Sequence, residues 1–181
     1  MFETWYQSIS PKIIHQAKKI KLLICDVDGV FSDGRIYLGN QQEEYKAFHT
    51  RDGYGIKALQ KANIDIAIIT GRHSKIVENR MTHLGIKHVF QNCHDKCIPY
   101  QSLLQQLQLT PDEVAYIGDD IIDLEVMLQI GLSIAVKDAH PALLDKVDYI
   151  TYCKGGFGAV REVCDLLLDV NDQLQSRGLS I

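Results

Sequence analysis

The chain has 181 residues, 46% of them hydrophobic, and a net charge of −4. That length fits a single domain over 1–181 with a core that needs no disulfide or structural metal, and the composition argues against disorder. No basic cluster exceeds Lys18, Lys19 and Lys21, no apolar stretch reaches membrane-span or signal-peptide length, and the five cysteines are odd in number. Nucleic acid and membrane are therefore excluded as partners, and a reducing, cytoplasmic setting is expected.

Apolar, β-branched runs alternate with helix-length amphipathic segments, which predicts a Rossmann-like α/β fold of three layers around a central parallel sheet. The first strand, Leu22–Asp26, runs into Val27, Asp28 and Gly29. Alternation brings Asp26 and Asp28 to one side if strand geometry persists, at the strand end where open α/β sheets bind ligands. Two such carboxylates repel each other unless a cation, a shared proton or full solvation relieves them. The plainer reading is a solvated turn, because Asp and Gly are frequent turn formers.

Residues 35–49 break the alternation and read as two short strands around a Gly39-Asn40 turn, a projecting β-hairpin. Its plainer role is a surface hairpin; because an isolated ribbon is marginal unless something covers it, its sharper role is an oligomer contact. A helix over 53–62 leads to strand Ile64–Thr70 and the turn Thr70-Gly71-Arg72; a helix over 74–84 leads to strand His88–Gln91. Cys93, His94 and Cys97 lie close together, but no second Cys/His pair stands at zinc spacing, so they read as reduced cysteines.

Lys96 precedes a helix over 97–108. Thr110-Pro111-Asp112-Glu113 has the form of a capping box with proline at the first helical position, but an apolar strand follows at once, so only a short turn is expected. That strand, Val114–Gly118, ends in Asp119 and Asp120, with Asp123 in the helix over 121–130. Strand Ser133–Val136, a helix over 141–146, strand Tyr149–Thr151 and a helix over 158–172 complete the pattern, while Met1–Lys19 and Asn171–Ile181 carry no signal of their own.

Four polar groups thus follow four strands: Asp26 with Asp28, Thr70-Gly71-Arg72, Lys96, and Asp119 with Asp120 and Asp123. Singly each has an ordinary explanation as a turn, a solvated lysine or an acidic helix start. Together they describe phosphoryl transfer. A phosphate dianion cannot approach several carboxylates unaided, since each charge pair at ~4 Å is worth about 4 kcal/mol at an effective dielectric of 20. Mg²⁺ favours oxygen ligands, and Asp26 with Asp119 offers a suitable pair. Asp26 is then the candidate nucleophile and Asp28 the acid that protonates the leaving alkoxide and the base that activates water. Thr70 and the adjoining backbone amides, Gly71 among them, would hold phosphate oxygens while Lys96 neutralises charge. Asp120 and Asp123 suit the orientation of metal waters or of Lys96.

This ordered set resembles the haloacid dehalogenase superfamily of aspartate-nucleophile phosphatases from about Leu22 to Val163. Asp28 argues for phosphate, since dehalogenases in the narrow sense lack that residue. The chain departs from larger members in having no cap domain. LLICDVDGVFSDGRIYLGN, HTRDGYGIKAL, IITGR, GDDIIDL and GGFGAVRE are similar to the capless 3-deoxy-D-manno-octulosonate 8-phosphate phosphatase family. That resemblance implies Asp26, Asp119 and the backbone carbonyl of Asp28 as metal ligands. It also implies substrate contacts from Asp28, His49, Thr50, Arg51, Asp52, Gly53, Lys57, Gly71, Arg72, Arg80 and Lys96, and a homotetramer whose neighbouring subunit closes the site. The implied activity is Mg²⁺-dependent hydrolysis of that sugar acid phosphate in lipopolysaccharide precursor synthesis.

Gln91-Asn92 stands where the family usually has Gln-Gly, and asparagine tolerates the left-handed backbone such a loop needs. Gly155-Gly156-Phe157-Gly158 lacks the spacing and setting of a dinucleotide fingerprint, leaving a role in the approach to the site or in a subunit contact. Three alternatives stay open: a nine-carbon sugar acid 9-phosphate as substrate, a phospho-acceptor signalling domain, and a non-catalytic interaction module. The order of the motifs opposes the signalling domain, and the intact acidic set opposes the module.

Overall fold

The computed structural model describes residues 2–172. The two outer ends of the expected single domain, and the last residues of the uninformative C-terminal segment, lie outside them. The chain opens with β1 (Phe2–Glu3) and β2 (Ser8–Ile9), an antiparallel pair, and α1 (Pro11–Ala17), in which Ser10 caps the first turn and proline occupies the first helical position. The opening sequence lacks any long periodic run, so these small elements had no pattern to announce them. Tertiary contacts hold them: Tyr6 donates to Asp165 at 2.9 Å, and Gln7 donates to the Ile150 carbonyl at 2.8 Å.

β3 (Leu22–Cys25) is buried at every position, as expected for a strand covered on both faces. The excursion after it carries β4 (Tyr37–Leu38) and β5 (Glu44–Tyr45), paired antiparallel with Tyr37 opposite Tyr45. The hairpin is present, but its loop is wider than the Gly39-Asn40 turn expected: the connection spans 39–43, with the left-handed residue at Gln42 (φ 67°). The Gly39 amide bonds the Glu43 carbonyl across that loop at 2.8 Å.

α2 (Thr50–Lys61) begins earlier than the expected residue 53, because His49 caps it by accepting the Arg51 amide on Nδ1. Then follow β6 (Asp65–Ile69), α3 (Lys75–Leu84), β7 (His88–Phe90) and α4 (Cys97–Leu107). A single 3-10 turn over Pro111–Glu113, closed by the Thr110–Glu113 capping box, delivers β8 (Val114–Gly118). The chain continues through α5 (Ile121–Met127), β9 (Leu132–Ala135), α6 (Pro141–Leu144), β10 (Tyr149–Ile150) and α7 (Ala159–Asp169).

The main sheet has six parallel strands in the order β10-β9-β8-β3-β6-β7. The chain leaves β3 in one direction, toward β6 and β7, and returns to its other side with β8. β3 and β8 therefore flank a topological switch point, the position at which such sheets leave a crevice beyond the strand ends. Helices α2, α3 and α7 pack together, as do α4, α5 and α6, giving a layer on each side of the sheet. No cap domain interrupts the described residues; only α3 and β7 lie between Thr70 and Lys96.

One buried carboxylate joins two helices on the first layer. Asp52, in the first turn of α2, is 0% exposed and accepts the Arg161 amide at 2.8 Å. It thereby satisfies one of the free amides at the start of α7, whose own cap position is Gly158 and offers no side chain.

Candidate active site

Asp26 directly follows β3 and is 6% exposed. Its Oδ1 accepts the Val27 amide at 2.6 Å, and its Oδ2 meets Lys96 Nζ at 2.8 Å. Lys96 comes from the loop after β7 and is itself buried. Its ammonium also reaches Asp123 Oδ1 at 2.6 Å and the Tyr116 hydroxyl at 3.2 Å, which uses all three of its donors. Burial alone would lower the Lys96 pKa, yet the carboxylates of Asp26 and Asp123 hold it above the ordinary lysine value. Burial raises Asp26 to about 6, with Lys96 opposing the rise and Asp123 adding to it.

Asp123 is fully engaged. Oδ1 takes Lys96 and the Tyr116 hydroxyl, which donates at 2.7 Å, while Oδ2 takes the amides of Asp119 and Asp120 at 3.0 and 3.2 Å. It thus ties Lys96 and Tyr116 to the Asp119–Asp120 turn. Asp120 instead caps α5, accepting the Ile121 amide, and points toward solvent.

Oxygen atoms of Asp26, Asp119 and Asp123 lie within 4.8 Å of one another. Asp119 rests against Gly29, whose φ is +86°; a Cβ there would fall 2.0 Å from Asp119 Oδ2. The glycine thus provides both the backbone conformation and the space for that carboxylate. Burial first, then the charges of Asp26, Asp123 and Asp120, raise the Asp119 pKa to about 8, with only Lys96 opposing. Crowded carboxylates of this kind fit a hard divalent cation, and since each Asp123 oxygen already takes two donors while each Asp26 oxygen takes one, Asp26 and Asp119 are the pair best able to hold it.

Asp28 turns to the hairpin and to Arg72. Its Oδ1 pairs with Lys46 of the hairpin and is 3.4 Å from Ser32 Oγ, and its Oδ2 is 3.9 Å from Arg72 Nε. Thr70 is buried at the end of β6, its amide bonding the Phe90 carbonyl and its carbonyl taking the Cys93 amide. Gly71 follows, and Arg72 stays half exposed above Asp28 and Glu44. Asn92 adopts φ 64°, the left-handed conformation expected of the position that replaces glycine.

The other expected substrate contacts lie at the start of α2, along it and on α3. His49 caps α2 with Thr50 and Arg51 exposed beside it, and Asp52 is turned into the core under α7. Gly53 is buried because a Cβ would come 2.8 Å from an Arg80 guanidinium nitrogen; that guanidinium stacks 5.8 Å from the Phe48 ring centroid. Lys57 lines an outer groove of α2 with Tyr54, Ala58 and Lys61. Lys46, Glu44 and Tyr116 also belong to the site, and no sequence motif marks Lys46 or Glu44. For Tyr116 a signal existed: a lone hydroxyl in an otherwise apolar strand must find a partner once buried.

The glycine loop 155–158 packs against the Gly29–Asp33 turn that follows Asp28. Gly156 donates its amide to the Val30 carbonyl at 2.8 Å, and a Cβ on Gly155 would lie 1.7 Å from the Gly29 carbonyl oxygen. Buried Glu162 aims the loop by accepting the Tyr152 and Cys153 amides, both at 2.8 Å.

A doubly wound parallel sheet with paired aspartates after its central strand, a lysine on the first of them and a third aspartate across the switch point defines the haloacid dehalogenase-like class of hydrolases. A family model for haloacid dehalogenase-like hydrolases matches residues 37–137. The 3-deoxy-D-manno-octulosonate 8-phosphate phosphatase of Yersinia pestis is 57% identical over 180 residues, covering 99% of this chain and 96% of that relative. That of Escherichia coli K12 is 52% identical, covering 98% of this chain and 95% of the relative. Among solved structures, the Yersinia pestis enzyme superposes with a TM-score of 0.96, covering 99% of this chain and 98% of that one. The Moraxella catarrhalis enzyme, solved with a magnesium ion, a phosphate ion and a KDO molecule, is 40% identical with a TM-score of 0.90, covering 93% and 97%. The chain belongs to the 3-deoxy-D-manno-octulosonate 8-phosphate phosphatase family of these hydrolases.

Proposed function

We propose that this chain is a Mg²⁺-dependent phosphatase that hydrolyses 3-deoxy-D-manno-octulosonate 8-phosphate to the free sugar acid and phosphate, a step of lipopolysaccharide precursor synthesis. The observation that carries the reading is 57% identity to such an enzyme over nearly the whole chain, together with the intact Asp26–Lys96–Asp123 cluster. A carboxylate oxygen of Asp26 attacks phosphorus in line, the bond to the sugar oxygen breaks, and Asp28 gives its proton to the departing alkoxide. Asp28, now a base, takes a proton from water as that water attacks the aspartyl phosphate. Phosphate leaves, the Asp26 carboxylate is regenerated, and Asp28 carries the proton for the next cycle.

Lys96 holds Asp26 in position and offsets negative charge as phosphorus is attacked. Thr70 and the Gly71 amide stand at the adjoining strand end to bind phosphate oxygens. Asp26, Asp119 and the backbone carbonyl of Asp28 would hold Mg²⁺, which would supply positive charge to offset that of the carboxylates and the phosphate. Arg72 and Arg80, with His49, Thr50, Arg51 and Lys57, serve the sugar acid and its carboxylate, whereas Asp52 and Gly53 are buried and take no part.

A homotetramer, in which a neighbouring copy completes the site, belongs to the same reading. Tyr37 and Tyr45, paired across the hairpin and 49% and 59% exposed, are an apolar face suited to that contact. No helix of the described residues is long and apolar enough to cross a membrane, which accords with a cytoplasmic setting. Phosphate release from a panel of sugar phosphates with and without Mg²⁺ tests the reading. Brisk metal-dependent release from the octulosonate ester is expected; preference for a nine-carbon acid 9-phosphate would move the substrate.

A further inference from the structure

The hairpin delivers a buried cation to Asp28. The Lys46 side chain is 0% exposed, although it stems from a ribbon whose neighbours face solvent. Its ammonium pairs with Asp28 Oδ1 and lies 3.5 Å from Glu44 Oε1. Glu44 Oε2 is 3.9 Å from Arg72 Nη2, and Arg72 Nε is 3.9 Å from Asp28 Oδ2. The four charges close a ring: Asp28, Lys46, Glu44, Arg72. A buried ammonium without a partner is strongly disfavoured, so the contact is built rather than incidental.

An ammonium only donates hydrogen bonds. The oxygen it occupies, Oδ1, must accept, and Ser32 lies on that same oxygen at 3.4 Å. Oδ2, approached among the described residues only by Arg72 Nε at 3.9 Å, is left on the open side. We propose that Lys46 is a positioning residue for the reaction: it locks Asp28 through Oδ1 so that Oδ2 faces the leaving oxygen, with Glu44 holding Lys46 in place. The hairpin is then part of the catalytic apparatus as well as a surface for assembly. The inference rests on Asp28 being the general acid.

Leaving-group dependence tests both readings separately. kcat/KM reports events up to departure of the alcohol, and an alkoxide needs protonation there whereas p-nitrophenolate does not. Asp28→Asn should lower kcat/KM for the octulosonate ester by about 100-fold or more and for p-nitrophenyl phosphate by less than about 5-fold. Lys46→Met, and Lys46→Ala as a smaller replacement should the first not fold, should show the same selectivity, with about 10-fold or more on the ester. Equal losses on both substrates, or no loss on either, overturn the Lys46 role if Asp28→Asn discriminates. An indiscriminate Asp28→Asn removes the acid assignment itself and the Lys46 proposal with it.

Discussion

Tyr116 and Lys96 meet on a single carboxylate oxygen: the tyrosine hydroxyl donates to Asp123 Oδ1 at 2.7 Å and the ammonium at 2.6 Å. Both donors are buried, and the hydroxyl also accepts from Lys96 at 3.2 Å, so the three groups brace one another beneath Asp26. Tyr116→Phe removes the brace without changing shape. A buried hydrogen bond of this sort is worth about 1–2 kcal/mol, and kcat should fall roughly 3- to 30-fold with KM nearly unchanged. Steady-state kinetics with a melting curve reads both effects; an unaltered kcat would show that Lys96 needs no such support.

Gly29→Ala places a methyl group where Asp119 now lies and forces a non-glycine residue to φ +86°. Mg²⁺ binding should weaken at least about 10-fold and turnover should drop with it, alongside a stability cost of about 1–2 kcal/mol. Isothermal titration of metal-free variant and parent measures the first. Parental metal affinity in the variant would show that Asp119 is not a ligand.

The acidic cluster also sets a pH dependence. In the metal-free fold Asp119 keeps its proton to about 8 and Asp26 to about 6, whereas the unfolded chain releases both near pH 4. Between those values the native state binds more protons than the unfolded state, so this contribution to stability falls as pH rises. Mg²⁺ competes with those protons. It should raise Tm more at pH 8 than at pH 5, and it should release protons when mixed with metal-free protein at pH 7. A Tm increase that is the same at both pH values speaks against carboxylate ligands of raised pKa.

Asp52 makes a second, separable case. Burial raises it to about 6 despite the Arg161 amide and three nearby arginines, and its Oδ2 has no hydrogen-bond partner. Asparagine keeps an acceptor for the α7 amide and removes the buried charge. Asp52→Asn should raise stability by about 1–2 kcal/mol at pH 8 and change it little at pH 4.5, where the parent carboxyl is protonated. Denaturant titrations at the two pH values decide it; destabilisation at both would mean the charge itself is needed to hold α7.

Much of this was legible in the chain. β3, β6 and β8 are short apolar runs ended by polar residues, and burial between two helix layers is what makes such runs continuous. The capping box at Thr110 announced its single turn because its partners are local in sequence. What could not be read was anything set by long-range approach. Whether Asp52 faces substrate or the start of α7 depends on a segment 109 residues away. Lys46 sits in a polar ribbon and has no periodicity to mark it as buried; only the path of the hairpin over Asp28 does that. The hairpin loop came out wider than its Gly39-Asn40 signal because Gln42, not that pair, adopts the left-handed turn conformation.

The most direct measurement is turnover of the octulosonate ester by Asp26→Asn in saturating Mg²⁺, read beside its melting temperature. An intact fold with activity reduced by about four orders of magnitude or more is the expected result, since an amide cannot take up phosphorus in place of the carboxylate. A folded Asp26→Asn protein that turns over at the parental rate would contradict the account.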